Sequence, residues 1–166
     1  MYVDFDSLHD HARIWVYQAD RRFKVGEEKL IRKLTQAFCD HWNAHGEPLK
    51  TSFKIQQNQF LILAVDEDYR GPSGCSIDGS VRMLKSLKEH IGVDFLDYSR
   101  VAVLMDNEVS LIPFTELRQA VSSGKLSAAS LTFNVQAPSK GALDKDWIVA
   151  AGKTWLARYL PKDTVA

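Results

Sequence analysis

The chain has 166 residues, 45% hydrophobic and 25% charged, a make-up that can bury about two-thirds of the unfolded surface in folded structure. Lys+Arg and Asp+Glu are 21 each, so the formal net charge is zero. This argues against a dominant nucleic-acid or anionic-membrane surface, since both need a basic excess or a segregated basic face. No stretch approaches the roughly 20 apolar residues of a membrane span, so neither nucleic acid nor membrane is expected as a partner.

Two cysteines, Cys39 and Cys75, lie far apart with no Cys-x-x-Cys pair, which leaves no zinc-ribbon or thioredoxin motif. Residues Met1 to Asp6 are acidic and lack the basic start and apolar run of a signal peptide. A reduced, cytoplasmic protein is the expectation.

In chain order, Arg13 to Gln18 is rich in β-branched and aromatic residues and predicts a first strand. Leu30, Ile31, Leu34, Phe38 and Trp42 then recur at helical spacing behind Glu27 and Glu28, with Gly46 as a stop. Thr51 to Gln56 and Gln59 to Asp66 read as a hairpin across Gln57-Asn58. Ile77, Val81, Leu84, Leu87 and Ile91 mark a second helix closed by Gly92, with Ser76 as its N-cap and Asp78 in its first turn. Arg100 to Met105 and Glu108 to Ile112 form another strand pair around Asp106-Asn107.

Beyond Pro113, Phe114 to Ser123 predicts a short helix ended by Gly124, and Ser130 to Val135 a short strand. Leu143 to Leu160 predicts a helical tail carrying Trp147 and Trp155. The order of the first 112 residues is that of a ferredoxin-like, split βαβ fold. The expected fold is therefore a single α+β domain over residues 1–166. It has an antiparallel sheet with both helices on one face, an extra hairpin strand, and a packed C-terminal helical extension over 113–166.

The densest chemistry is Ser73-Gly74-Cys75-Ser76-Ile77-Asp78-Gly79-Ser80. It sets a thiol, three hydroxyls and a carboxylate at the start of a helix, where backbone N–H groups are free. Three readings are open. In the first, Ser73, Gly74, Cys75, Ser76, Asp78 and Ser80 form a ligand site. Ser76 and Ser80 would donate hydrogen bonds, the Gly74–Cys75 backbone would approach the ligand, and Asp78 would take a polar or cationic group. In the second, Cys75 is the nucleophile of a hydrolase or transferase. In the third, the stretch is only a well-capped helix start with Cys75 half buried.

Other clusters weigh toward ordinary structure. His41 and His45 stand four apart, as metal ligands on one helix face would, but no glutamate lies between them. Asp4, Asp6, His9, Asp10 and His11 make a second metal-like group; no metal and no cofactor is expected from either. Asp66-Glu67-Asp68 reads as solvated acids, and Arg21, Arg22 and Lys24 as a solvated loop. Trp15 and Tyr17 share one strand face and read as core or interface packing rather than as base-stacking platforms.

Arg13-Ile14-Trp15-Val16-Tyr17-Gln18, Ala44-His45-Gly46, Gly74-Cys75-Ser76-Ile77-Asp78-x-Ser80 and Trp155-x-x-Arg158 together resemble a family of small Bacteroidetes proteins whose members often carry the label "ABC transporter ATPase". The resemblance implies no catalytic residue. The label implies ATP hydrolysis, which needs Gly-x-x-x-x-Gly-Lys-Ser/Thr between a strand and a helix. Here the position five before Gly152-Lys153-Thr154 is Trp147, Ser123-Gly124-Lys125-Leu126 lacks the hydroxyl after lysine, and Leu-Ser-Gly-Gly-Gln is absent. The expectation is a ligand-binding or interaction module, a homodimer, acting on a small ligand or a protein partner.

Overall fold

The computed structural model of the chain describes residues 1–162. Its elements run β1 (Arg13–Gln18), α1 (Glu27–His41), β2 (Asn43–Ala44), β3 (Glu47–Pro48), β4 (Thr51–Gln56), β5 (Phe60–Val65), α2 (Gly74–Ile91), β6 (Arg100–Met105), β7 (Glu108–Pro113), α3 (Leu117–Ser122), β8 (Leu131–Phe133), α4 (Lys140–Lys145) and β9 (Ile148–Ala150). Short 3-10 turns add Phe5–Ser7, Phe114–Glu116, Ala151–Lys153 and Trp155–Tyr159. This is a mixed α+β architecture of antiparallel sheets and α-helices. Among the described residues no helix is long and apolar enough to cross a membrane. The chain divides into two compact units.

The first unit holds Met1–Asp97 with Val135–Lys145. Its main sheet has the order β1-β5-β4, antiparallel throughout. β5, Phe-Leu-Ile-Leu-Ala-Val, is an unbroken apolar run, and such a run suits a central strand covered on both faces; all six residues are fully buried. The β4–β5 turn is Gln57-Asn58, with φ of 52° and 50°, the left-handed pair a tight hairpin requires. On one face of the sheet Tyr17, Phe53, Ile55, Leu61, Leu63 and Val65 join Ile31 and Cys39 of α1 and Leu84 and Leu87 of α2 in one core. β2 and β3 form a separate two-stranded ribbon turning through His45 and Gly46, with φ of 53° and 81°.

Among the described residues the second unit holds Tyr98–Asn134 and 146–162. Its antiparallel sheet has the order β7-β6-β8-β9, and the β6–β7 turn is Asp106-Asn107 at φ 53° and 64°. Val101, Val103, Ile112, Leu117, Ala120, Leu126, Ala151 and Leu156 make its core.

Two sequence-based expectations are corrected here. The ferredoxin-like arrangement needs the strand after the second helix to lie beside β1. Instead β6 pairs with β7 and β8 in another sheet. The outer edge of β1 is already engaged: Arg13 bridges Ser139, and the Ile14 N–H donates to the Pro138 carbonyl at 3.2 Å. Nor is there a continuous helix over 143–160. That stretch is the end of α4, then β9, then two 3-10 turns, because the β-branched Ile148-Val149 favours a strand and Gly152 breaks the chain after it. A Cβ on Gly152 would stand 3.0 Å from the Ala128 Cβ, so this glycine permits close backbone packing.

The helix limits also shift. α1 ends at His41, with Trp42 already extended, and Gly46 belongs to the ribbon turn rather than to a helix stop. Its buried stripe is Ile31, Thr35 and Cys39, whereas Leu30 and Leu34 are exposed. α2 begins at Gly74, capped by Ser73 and not by Ser76, and Asp78 falls beyond its first turn. Gly92 closes it in the left-handed region at φ 75°.

Candidate functional site

The start of α2 is built as a capping box. The Ser76 N–H donates to Ser73 Oγ at 3.1 Å, and the Ser73 N–H donates back to Ser76 Oγ at 3.0 Å. Ser76 Oγ itself donates to the Asn43 carbonyl of β2 at 2.7 Å, and the Trp42 indole N–H donates to the Ser76 carbonyl at 2.8 Å. Ser76 and Ser80 are both buried. Ser80 Oγ donates to the Ile77 carbonyl of its own helix at 2.6 Å. The two hydroxyls expected to meet a ligand are therefore committed within the fold.

A cleft of about 310 Å³ opens beside this helix start. Phe38, His41, Trp42, Asn43 and His45 line one side, and Ser73, Cys75, Ser76, Gly79 and Arg82 the other. Of the six residues singled out in the sequence, Ser73, Cys75 and Ser76 line it; Gly74, Asp78 and Ser80 do not. His41, His45 and Arg82 are brought in alongside. The histidines reach the cleft by a route other than one helix face: His41 ends α1, while His45 sits in the ribbon turn. His41 Nδ1 lies 3.0 Å from the Ala37 carbonyl and donates to it, which leaves Nε2 as the ring's other nitrogen. Among the described residues no acidic side chain lines the cleft, and no three His, Cys, Asp or Glu side chains are grouped to hold a metal.

The two thiols differ sharply. Cys39 is fully buried, and burial pushes its pKa up to about 12; Cys75 is exposed. Iodoacetamide applied to the native protein near pH 8 should alkylate Cys75 and spare Cys39, since the thiolate is the reactive form. Denaturant should bring uptake to two. Peptide mass spectrometry reads this directly, and native labelling of Cys39 would contradict the packing.

The remaining clusters resolve into pairs. Asp66 is buried with Lys50 Nζ 3.4 Å away, Glu67 lies 3.4 Å from Arg13, and Asp68 pairs with His11. That last contact, exposed on both sides, raises the His11 pKa and lowers that of Asp68. Within the basic loop, Arg21 grips Glu27 with two nitrogens at 2.7 and 2.9 Å. The Arg21 hydrogen bond is the main cause that brings the Glu27 pKa to about 2.

A carboxylate held this low stabilises the fold above its unfolded pKa, and that contribution is lost as pH falls through the folded value. Unfolding free energy should drop by about 1–2 kcal/mol between pH 5 and pH 2 on account of Glu27, after allowance for the part of the pair that faces water. Glu27→Gln should flatten this portion of the pH–stability curve; an unchanged curve would remove Glu27 from the account.

Gly152-Lys153-Thr154 is likewise accounted for locally. Gly152 packs on Ala128, and Thr154 Oγ1 donates to the Ala151 carbonyl at 2.8 Å and accepts from the Leu156 N–H at 3.2 Å.

Fold and cleft thus define an α+β protein of two compact units with a thiol-, imidazole- and guanidinium-lined hollow in the first. Compared with known proteins, the chain matches no family model, no curated protein and no solved structure.

Proposed function

We propose that this chain is a small-ligand-binding module whose site is the cleft beside α2, and that its ligand carries a carboxylate or phosphate on an apolar body. The observation that carries the reading is the cleft's lining. Arg82, which makes no ion pair among the described residues, shares it with His41 and His45, with no acid present and with Phe38 and Trp42 as apolar walls. A guanidinium beside aromatic rings suits a carboxylate or phosphate on a flat apolar body, which it can hold with two parallel hydrogen bonds, and the volume lies at the lower end of the small-molecule range. The assignment of Asp78 to a cationic group gives way here, since Asp78 is off the cleft wall. ATP hydrolysis finds no support in the geometry around Gly152.

Screening aryl carboxylates and aryl phosphates by ¹H–¹⁵N correlation should move the Trp42 indole, Cys75 and Gly79 resonances together. Arg82→Ala should weaken the hits roughly tenfold, the scale of one charge-assisted hydrogen bond. Hits scattered over other surfaces, or indifferent to Arg82, would overturn the reading.

A second reading uses the same walls. Cys75 is an exposed thiol in a cleft whose lining also includes two imidazoles, and an acyl-transferring cysteine would need one of them to swing within hydrogen-bond reach of its sulfur. Incubation with p-nitrophenyl acetate should then leave an acetyl adduct on Cys75, seen by intact mass and lost in Cys75→Ser. A native protein that stays unmodified counts against it.

A further inference from the structure

From the second unit we infer an interaction surface that takes an acidic peptide segment carrying an apolar anchor. Phe114, Trp155 and Tyr159 form a run of edge-to-face rings, with centroids 5.7 Å apart between Phe114 and Trp155 and 6.1 Å between Trp155 and Tyr159. The interplanar angles are 80° and 78°. Leu156, between two of these rings in the chain, is buried in the unit's core and Tyr159 packs against that core, and yet Phe114 is 45% and Trp155 37% exposed. Aromatic side chains seldom stay at a surface in a connected group without a partner.

Two guanidiniums flank the rings: Arg118 lies 5.9 Å from the Tyr159 centroid and Arg158 6.0 Å from that of Trp155. Among the described residues neither makes an ion pair. A guanidinium over a ring keeps its in-plane N–H donors available, so both cations present unspent donors beside apolar surface. Rigid tryptophan and tyrosine with arginine is also the composition that dominates binding energy at protein interfaces.

Charge complementarity selects the occupant. Two unpaired cations match one or two carboxylates, and the exposed rings match one apolar side chain between or beside them. Single-stranded nucleic acid would also stack on aromatic rings, but it needs a cationic groove that tracks many phosphates. In the described residues of the second unit Asp106, Glu108, Glu116 and Asp146 offset most of the basic residues, a balance that favours a short acidic segment over a polyphosphate chain.

The test is fluorescence anisotropy on the full chain, using fluorescein-labelled 12-residue peptides in which Asp and Glu flank Leu, Phe or Trp. A library with Lys in place of the acids serves as control, and an oligo-dT and sedimentation equilibrium are run alongside. The acidic library should bind and the lysine library should not, with affinity falling as salt rises from 50 to 300 mM. Arg118→Gln and Arg158→Gln should each weaken binding about fivefold, the upper end for exposed charge pairs, with thermal melts unchanged. Trp155→Phe, chosen to preserve the fold, should weaken it further. Equal binding of the two libraries, indifference to both arginines, or tighter binding of oligo-dT would overturn the inference. So would self-association abolished by the arginine variants, which would make a second copy of this chain the occupant.

Discussion

Replacing Trp42 by alanine should destabilise the protein by about 3–5 kcal/mol, the cost of emptying a buried tryptophan site, and lower Tm by roughly 10 °C or more at this chain length. Trp42 is 3% exposed and serves several purposes. Its ring packs against Phe38 at 4.9 Å and Trp15 at 5.8 Å, so it joins the end of α1 to β1. Its indole N–H donates to the Ser76 carbonyl in the first turn of α2, and its own carbonyl accepts from the Leu49 N–H at 3.0 Å. The first two depend on the side chain; the third does not. Trp42→Phe separates them: it keeps most of the packing and loses the indole bond, for an expected cost of about 1–2 kcal/mol. Urea denaturation followed by far-ultraviolet circular dichroism gives both numbers, and hydrogen exchange at Leu61, Leu63 and Val65 shows whether the loss falls on the first unit's core. Equal costs for the two variants would mean that the hydrogen bond, not the ring, carries the site.

How far this arrangement is legible in the sequence depends on which physical signal each part uses. The hairpin at Gln57-Asn58 announces itself by a short link between two strand-like runs and that at Asp106-Asn107 by residue types that tolerate positive φ, and both form. The unbroken apolar run of β5 likewise marks a strand covered on both faces. Strand pairing is different, because it is settled by which edge is free. Nothing local in Arg13–Gln18 reveals that Pro138 and Ser139, far along the chain, take the edge a ferredoxin-like sheet would use.

The candidate site is half readable. Cys75 and the histidines are identifiable as chemistry, but Arg82 gives no signal, since a lone arginine two turns into a helix looks like any solvated surface residue. Placing His41 and His45 on one helix face fails at Asn43 and Gly46, which suit the ribbon that forms. The serines carry a subtler signal. Ser76 and Ser80 precede Leu84 by eight and four residues, which places them on the inward stripe of α2; Ser76, Ser80, Leu84 and Leu87 are its buried residues. Spacing assigns those hydroxyls to the interior, where polarity alone suggests the surface.

That reassignment makes Ser76→Ala the most discriminating substitution in the first unit, with an expected cost of about 2–3 kcal/mol. Removing the hydroxyl takes away three hydrogen bonds at once. The Ser73 N–H loses its acceptor, the Asn43 carbonyl loses its donor at 2.7 Å, and the contact with Ser73 Oγ goes too. Leaving such groups without partners costs more than a single hydrogen bond contributes when made. Ser80→Ala should instead be within about 0.5 kcal/mol of the parent, because it removes only a bond back to its own helix and introduces a better helix former. Ser73→Ala should cost about 1 kcal/mol as a lost N-cap. Since Ser73 and Ser76 satisfy each other, the double variant should cost less than the two single variants added together. Chemical denaturation of the four proteins measures the cycle. The outcome also bears on the cleft, because the Ser76–Asn43 bond ties β2, and with it the wall holding His45, to the start of α2. A Ser76→Ala protein as stable as its parent would return that hydroxyl to the pool of groups free to meet a ligand.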